Sequence, residues 1–132
     1  ISAEFTASKI PTLLNNALLE THTTTEDCYG EKIQRLLLKT AEDSSFVCAN
    51  GQQVTGFTKT FITDNLNKTL DEWNMDYRYL VYKGTDFKDN DSHIFMVTNV
   101  QDNCWGKDIT TENFFFRTSN GEFLNVKLDI CS

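Results

Sequence analysis

The side chains that could do chemistry in this chain are few and scattered. His22 and His93, the only two histidines, lie far apart in sequence. A catalytic triad needs a histidine, a nucleophile and an orienting acid within mutual reach. There is no Gly-x-Ser-x-Gly turn to present a serine and no thiol left over to act as nucleophile. Both histidines therefore read as surface or capping groups. Asp71 and Glu72 stand beside each other before Trp73. Adjacent carboxylates face apart, which is poor geometry for paired acid–base work. The run Asp86-Phe87-Lys88-Asp89-Asn90-Asp91 concentrates oxygen ligands of the kind calcium takes. It lacks the alternating spacing, central glycine and final glutamate of a calcium loop, and reads as a solvated connection. No metal, no cofactor and no enzymatic reaction is expected.

The four cysteines carry a clearer message. Cys28, Cys48, Cys104 and Cys131 are even in number, widely spaced and free of any Cys-x-x-Cys pair. Zinc and thioredoxin-like chemistry both need that close spacing. Two disulfides formed in an oxidising compartment are the simplest reading. Of three possible connectivities we favour Cys28–Cys48 and Cys104–Cys131. Each closes a loop of about 20 to 30 residues, worth about 3 kcal/mol in the chain-entropy picture. Two sequons, Asn67-Lys68-Thr69 and Asn90-Asp91-Ser92, agree with a secreted, extracellular glycoprotein. No leader pattern is visible, so the chain reads as a mature or recombinant form. Ile1 to Phe5 are set aside as a possible vector remnant.

Charge narrows the partners. The net charge is −7 and the pI is about 4.7. Phosphate recognition needs clustered Lys and Arg. Lys32, Arg35 and Lys39 are the nearest approach, and they stand among carboxylates. Nucleic acid and anionic membrane surfaces are not expected as partners. No stretch approaches the length of a membrane span.

Around these residues the chain should fold as one domain over residues 1–132, which is an ordinary domain length. Before Ser44 the apolar spacing is helical. Ile10, Leu13, Leu14, Ala17 and Leu18 fall at i, i+3, i+4, i+7 and i+8, one face of a helix. Ser8 would cap it and Pro11 would sit in its first turn. Thr21 to Thr25 should end it. A second helix is expected from near Gly30, with Ile33, Leu36 and Leu37 buried. After Ser44 the pattern reads as antiparallel sheet. Asn50-Gly51 and Asn120-Gly121 are hairpin signals, because both residues accept a positive φ. Strands are expected at Phe57 to Ile62, Tyr77 to Tyr82, Ile94 to Val100 and Leu124 to Ile130, with Phe114 to Phe116 leading into the second turn. Asp64 to Asn74 is a loop or a short helix. The expected class is α+β, two N-terminal helices packed on an antiparallel sheet of four to six strands. The alternative is a small β-barrel with N-terminal helices.

Three binding readings follow. The leading one is a non-enzymatic protein that recognises another protein through a sheet face or hairpin tips. Tyr77, Tyr79 and the run Phe114 to Phe116 supply aromatic area for it. The second is a carrier whose cavity, lined by the aromatics, holds a small apolar ligand. The third rests on Gln52-Gln53-Val54-Thr55-Gly56, with Trp105-Gly106 downstream. This Gln-x-Val-x-Gly pattern resembles the first inhibitory hairpin of the cystatins, a family of cysteine-protease inhibitors, and Trp105 stands roughly where that family has a tryptophan on a second hairpin. The resemblance implies a wedge in which Gln52, Val54, Gly56 and Trp105 enter a protease cleft at two adjacent loop tips.

Overall fold

The computed structural model describes residues 3–84, 88–99 and 109–131; for residues 3–11, 90 and 110 it describes the backbone only. The chain opens with helix α1 (Ala3–Glu20), a single turn α2 (Thr25–Cys28) and helix α3 (Ile33–Glu42). Helix α4 (Val54–Leu66) runs on into a π-helical turn, Asn67–Asp71. Strands β1 (Asp76–Lys83), β2 (His93–Thr98), β3 (Ile109–Arg117) and β4 (Phe123–Cys131) follow. They form an antiparallel sheet in the order β2-β1-β4-β3. The class is α+β, as the patterning implies. The sheet does not close, so the barrel alternative is set aside.

Side chains alternate across β1 and β4, and the two strands present their apolar sets to the same side. Tyr77, Tyr79 and Val81 pair with Ile130, Leu128 and Val126, and all six are buried. Phe95 and Val97 extend this inner face across β2. The helices cover it: α1 packs on β3, β4 and α3, and α4 packs on α3 and β2. Ile33, Leu36 and Leu37 of α3 join the same core. The Asn120-Gly121 turn links β3 to β4 as expected. Thr118 N–H donates to the Glu122 carbonyl at 2.9 Å, and Gly121 takes φ +86°, where a glycine avoids the strain that other residues would carry.

Three local expectations are corrected. Gly51 does make a reverse turn, its N–H donating to the Cys48 carbonyl at 3.0 Å. Only the single bridge Val47–Gln53 follows from it, so there is no hairpin of strands. Phe57 to Ile62 is not a strand but the middle of α4. Its threonines suggested a sheet, yet the buried set Val54, Phe57, Thr58, Ile62, Leu66 and Leu70 keeps helical spacing. Thr63 and Thr69 satisfy their hydroxyls by donating to the carbonyls of Lys59 and Asn65, four residues back. Finally, α1 begins before Ser8 and runs through Pro11, which gives up one helical N–H bond in mid-helix rather than opening the first turn.

One polar contact lies inside the core. The Tyr79 hydroxyl donates to Asn15 Oδ1 at 2.8 Å, both residues being buried, and Asn15 Nδ2 has no partner among the described residues. Tyr79→Phe should cost about 1–2 kcal/mol, because Asn15 then stays buried with neither end satisfied. Adding Asn15→Leu should recover most of that loss in urea unfolding. A double variant no more stable than Tyr79→Phe would contradict this reading.

Candidate binding surface

The sheet's other face looks away from the helices. Arg78, Leu80 and Tyr82 of β1 lie on it, beside Asp129, Lys127 and Asn125 of β4. β3 adds Ile109, Thr111, Asn113, Phe115 and Arg117, and β4 ends the row with Phe123. The two halves of this face differ. On β1, Leu80 and Tyr82 are buried. On the β3–β4 side, Phe115 is 69% exposed, Ile109 51% and Phe123 37%. Phe115 and Phe123 meet edge to face with centroids 6.2 Å apart, and the Arg117 guanidinium lies 5.3 Å from the Phe123 ring. Edge-to-face rings and a cation over an aromatic face are both favourable arrangements. The result is a small aromatic patch with one arginine at its edge, carried on paired strands.

A buried charge stands behind the patch. Asp129 is 2% exposed although it lies on the outer face. Arg78 donates to its Oδ2 at 2.9 Å, and Lys127 reaches the same oxygen at 2.8 Å. Thr111 donates to Oδ1 at 2.6 Å. These donors come from β1, β4 and β3, so the carboxylate ties three strands together. Burial by itself would raise the Asp129 pKa. The bonds from Lys127, Thr111 and Arg78 outweigh it and hold the carboxyl below its ordinary value.

The residues expected to bind fall elsewhere. Tyr77 and Tyr79 are fully buried on the inner face, so they are core rather than surface. Burial, with the Asp71 charge behind it, pushes the Tyr77 hydroxyl up to about 12, and burial alone raises Tyr79. Tyr77 donates to Asn67 Oδ1 at 2.6 Å, which places the first sequon on the half-buried π turn. Gln52 and Gly56 are exposed, but Val54 is fully buried in the first turn of α4. A buried, helical Val54 cannot be the tip of a wedge, so the hairpin on which the cystatin resemblance rests is absent. Trp105, Cys104, Asp86 and Phe87 lie outside the described residues, as does the side chain of Asn90.

Cys28 and Cys48 are bonded as expected. Cys131 is also disulfide-bonded; its expected partner, Cys104, falls outside the described residues. His22 is exposed at the start of the chain leading to α2, its ring Nδ1 3.0 Å from the Gly30 carbonyl. His93 opens β2 opposite Tyr82. Among the described residues no three His, Cys, Asp or Glu side chains gather as a cation site, and no helix is long and apolar enough to cross a membrane. Two surface clefts hold about 120 Å³, beside Leu14, Leu18 and Leu66, and about 190 Å³, beside Phe57 and Phe61. Both fall short of the roughly 300–1,000 Å³ of small-molecule sites.

Ile109, Phe123 and Arg117 were not singled out in the sequence. The signal was present in Phe114 to Phe116, where apolar side chains on both faces of one strand require a cover on each. It was present again in Phe123, out of phase with the buried series Leu124, Val126, Leu128. Searches against protein-family models, curated proteins and solved structures found no match.

Proposed function

We propose that this chain is a secreted, non-enzymatic binding protein that recognises another protein through the β3–β4 half of its outer sheet face. The observation that carries the reading is Phe115, a large aromatic side chain 69% exposed on a regular strand and in edge-to-face contact with Phe123 on the same face, with exposed Ile109 further along β3. Exposing the two adjoining rings together in water is unfavourable unless another surface removes them from it. Aromatic and arginine side chains are also the types that dominate protein interfaces. The Cys28–Cys48 bridge is compatible with an extracellular location, and glycans on Asn67 and Asn90 belong to the same proposal.

The test uses the glycosylated protein immobilised against the fluid or cell surface it meets. Phe115→Ser with Phe123→Ser should fold as the parent does, since both rings are exposed, yet lose at least roughly tenfold in affinity for whatever the parent retains. A partner held equally by the parent and the double variant would refute the assignment of this face.

A further inference from the structure

We infer that β3 is the seam of a homodimer, in which two copies pair their β3 strands antiparallel and join two four-stranded sheets into one continuous sheet. The inference does not depend on the identity of any other partner. Among the described residues β3 pairs its backbone only with β4, so within them its other edge carries unpaired N–H and C=O groups. Sheet edges are normally protected by shortness, bulges, lysine or proline. β2, at the opposite edge, has six residues, and its pairing with β1 shifts register between Val81 and Tyr82. β3 has nine residues, Ile-Thr-Thr-Glu-Asn-Phe-Phe-Phe-Arg, with neither lysine nor proline. Among the described residues it carries none of these protections.

Side-chain register points to a second copy as the occupant, and the charge along the edge does not oppose it. The whole chain carries −7, a load that opposes self-association. Along β3 the charges of Glu112 and Arg117 cancel, so this edge is neutral. A two-fold axis perpendicular to the sheet keeps each side chain on its own face, and an isologous contact pairs residue i with j and j with i. With the axis at Phe115, Phe115 of one copy faces Phe115 of the other. Phe114 then faces Phe116 and Phe116 faces Phe114 on the inner side. Arg117 falls opposite Asn113, and Glu112 opposite Thr118, so no like charges meet. All three phenylalanines, which are half-buried or exposed in the monomer, gain an aromatic cross-strand partner. Axes at Asn113 or Phe114 do not bring all three together. The aromatic patches of the two copies would then lie side by side on one broad outer face.

The dyad at Phe115 makes the test specific. Sedimentation velocity of the parent, from low micromolar to several hundred micromolar, should show a reversible monomer–dimer equilibrium. Phe115→Lys and Phe115→Glu each place like charges face to face and should weaken the dimer by roughly tenfold or more. Mixing the two variants in equal amounts should restore a dimer, as a heterodimer, because the ammonium introduced in one copy then meets the carboxylate introduced in the other. Met96→Lys, an exposed change on the other edge strand, should leave the equilibrium unchanged. A parent that stays monomeric throughout would overturn the inference and leave the edge to an extended segment of some other protein. A dimer that survives Phe115→Lys unchanged would overturn it too, since its seam or register would then lie elsewhere.

Discussion

Asp129→Asn should lower the free energy of unfolding by about 3 kcal/mol in chemical denaturation. Asp129 takes bonds from Arg78, Lys127 and Thr111 on three different strands. An asparagine keeps the shape but not the charge. Arg78 and Lys127, whose side chains are 23% and 13% exposed, would lose the carboxylate they share while staying close and partly desolvated. Removing one member of a buried ion pair costs about 3–5 kcal/mol, and the partial exposure of both cations sets the lower end. The pH dependence gives a second check. The folded carboxyl titrates below its ordinary value of 3.8. Its stabilising contribution is therefore fully present above the unfolded value and is lost as pH falls through the folded one. The gap between parent and variant should be constant near neutrality and shrink below about pH 4. A gap that does not change in acid would show that the charge of Asp129 is not what holds the strands.

The second large effect belongs to the helical half. Replacing Cys28 and Cys48 by alanine should cost about 3 kcal/mol. The bridge spans a sequence separation of 20 and ties the end of α2 to the turn before α4. Both residues are buried, so the packing lost with the sulfur atoms adds to the freedom gained by the unfolded chain. Asn50 N–H, which donates to the Asp27 carbonyl across the same junction at 3.1 Å, should lose its protection from hydrogen exchange in this variant. The amides of β4 should keep theirs relative to global unfolding. A change in stability below about 1 kcal/mol would mean that α2 and the Cys48 turn hold each other without the bond.

Much of the fold was legible where pattern and burial coincide. The alternation from Leu124 to Ile130 gave β4, the Asn120-Gly121 pair gave the turn before it, and Ile33, Leu36 and Leu37 gave α3. The Cys28–Cys48 bond was the favoured one among three connectivities that the sequence left open. What misled was chemistry that argues for two structures at once. In α4, threonines at 55, 58, 60 and 63 favour a strand, while the apolar residues keep helical spacing; burial against α3 and β2 decided for the helix. Tyr77 and Tyr79 were assigned a binding role for their aromatic type, but a strand packed under helices uses such rings as core. The surface patch was partly hidden for a related reason. A phenylalanine pointing into the core and one pointing away are the same letter. Only the pairing Phe115–Asn125 and Phe123–Arg117 shows that two of them share the open face. Asp129 is the reverse case. It sits at an outward position of β4, where a polar residue is ordinary, and its burial depends on Arg78 of a strand 51 residues away in sequence.

The most direct test of the proposed function is site-specific photo-crosslinking in the extracellular setting that the proposal assigns to this chain. A photoreactive phenylalanine analogue is placed at Phe115, and for comparison at exposed Ser44, which lies beyond α3. The account predicts adducts of discrete mass at position 115, with a protein other than this chain present alongside any dimer, and none at position 44. Equal labelling at the two positions, or adducts at 115 made only with solvent, would contradict the claim that the β3–β4 face is where this protein meets its partner.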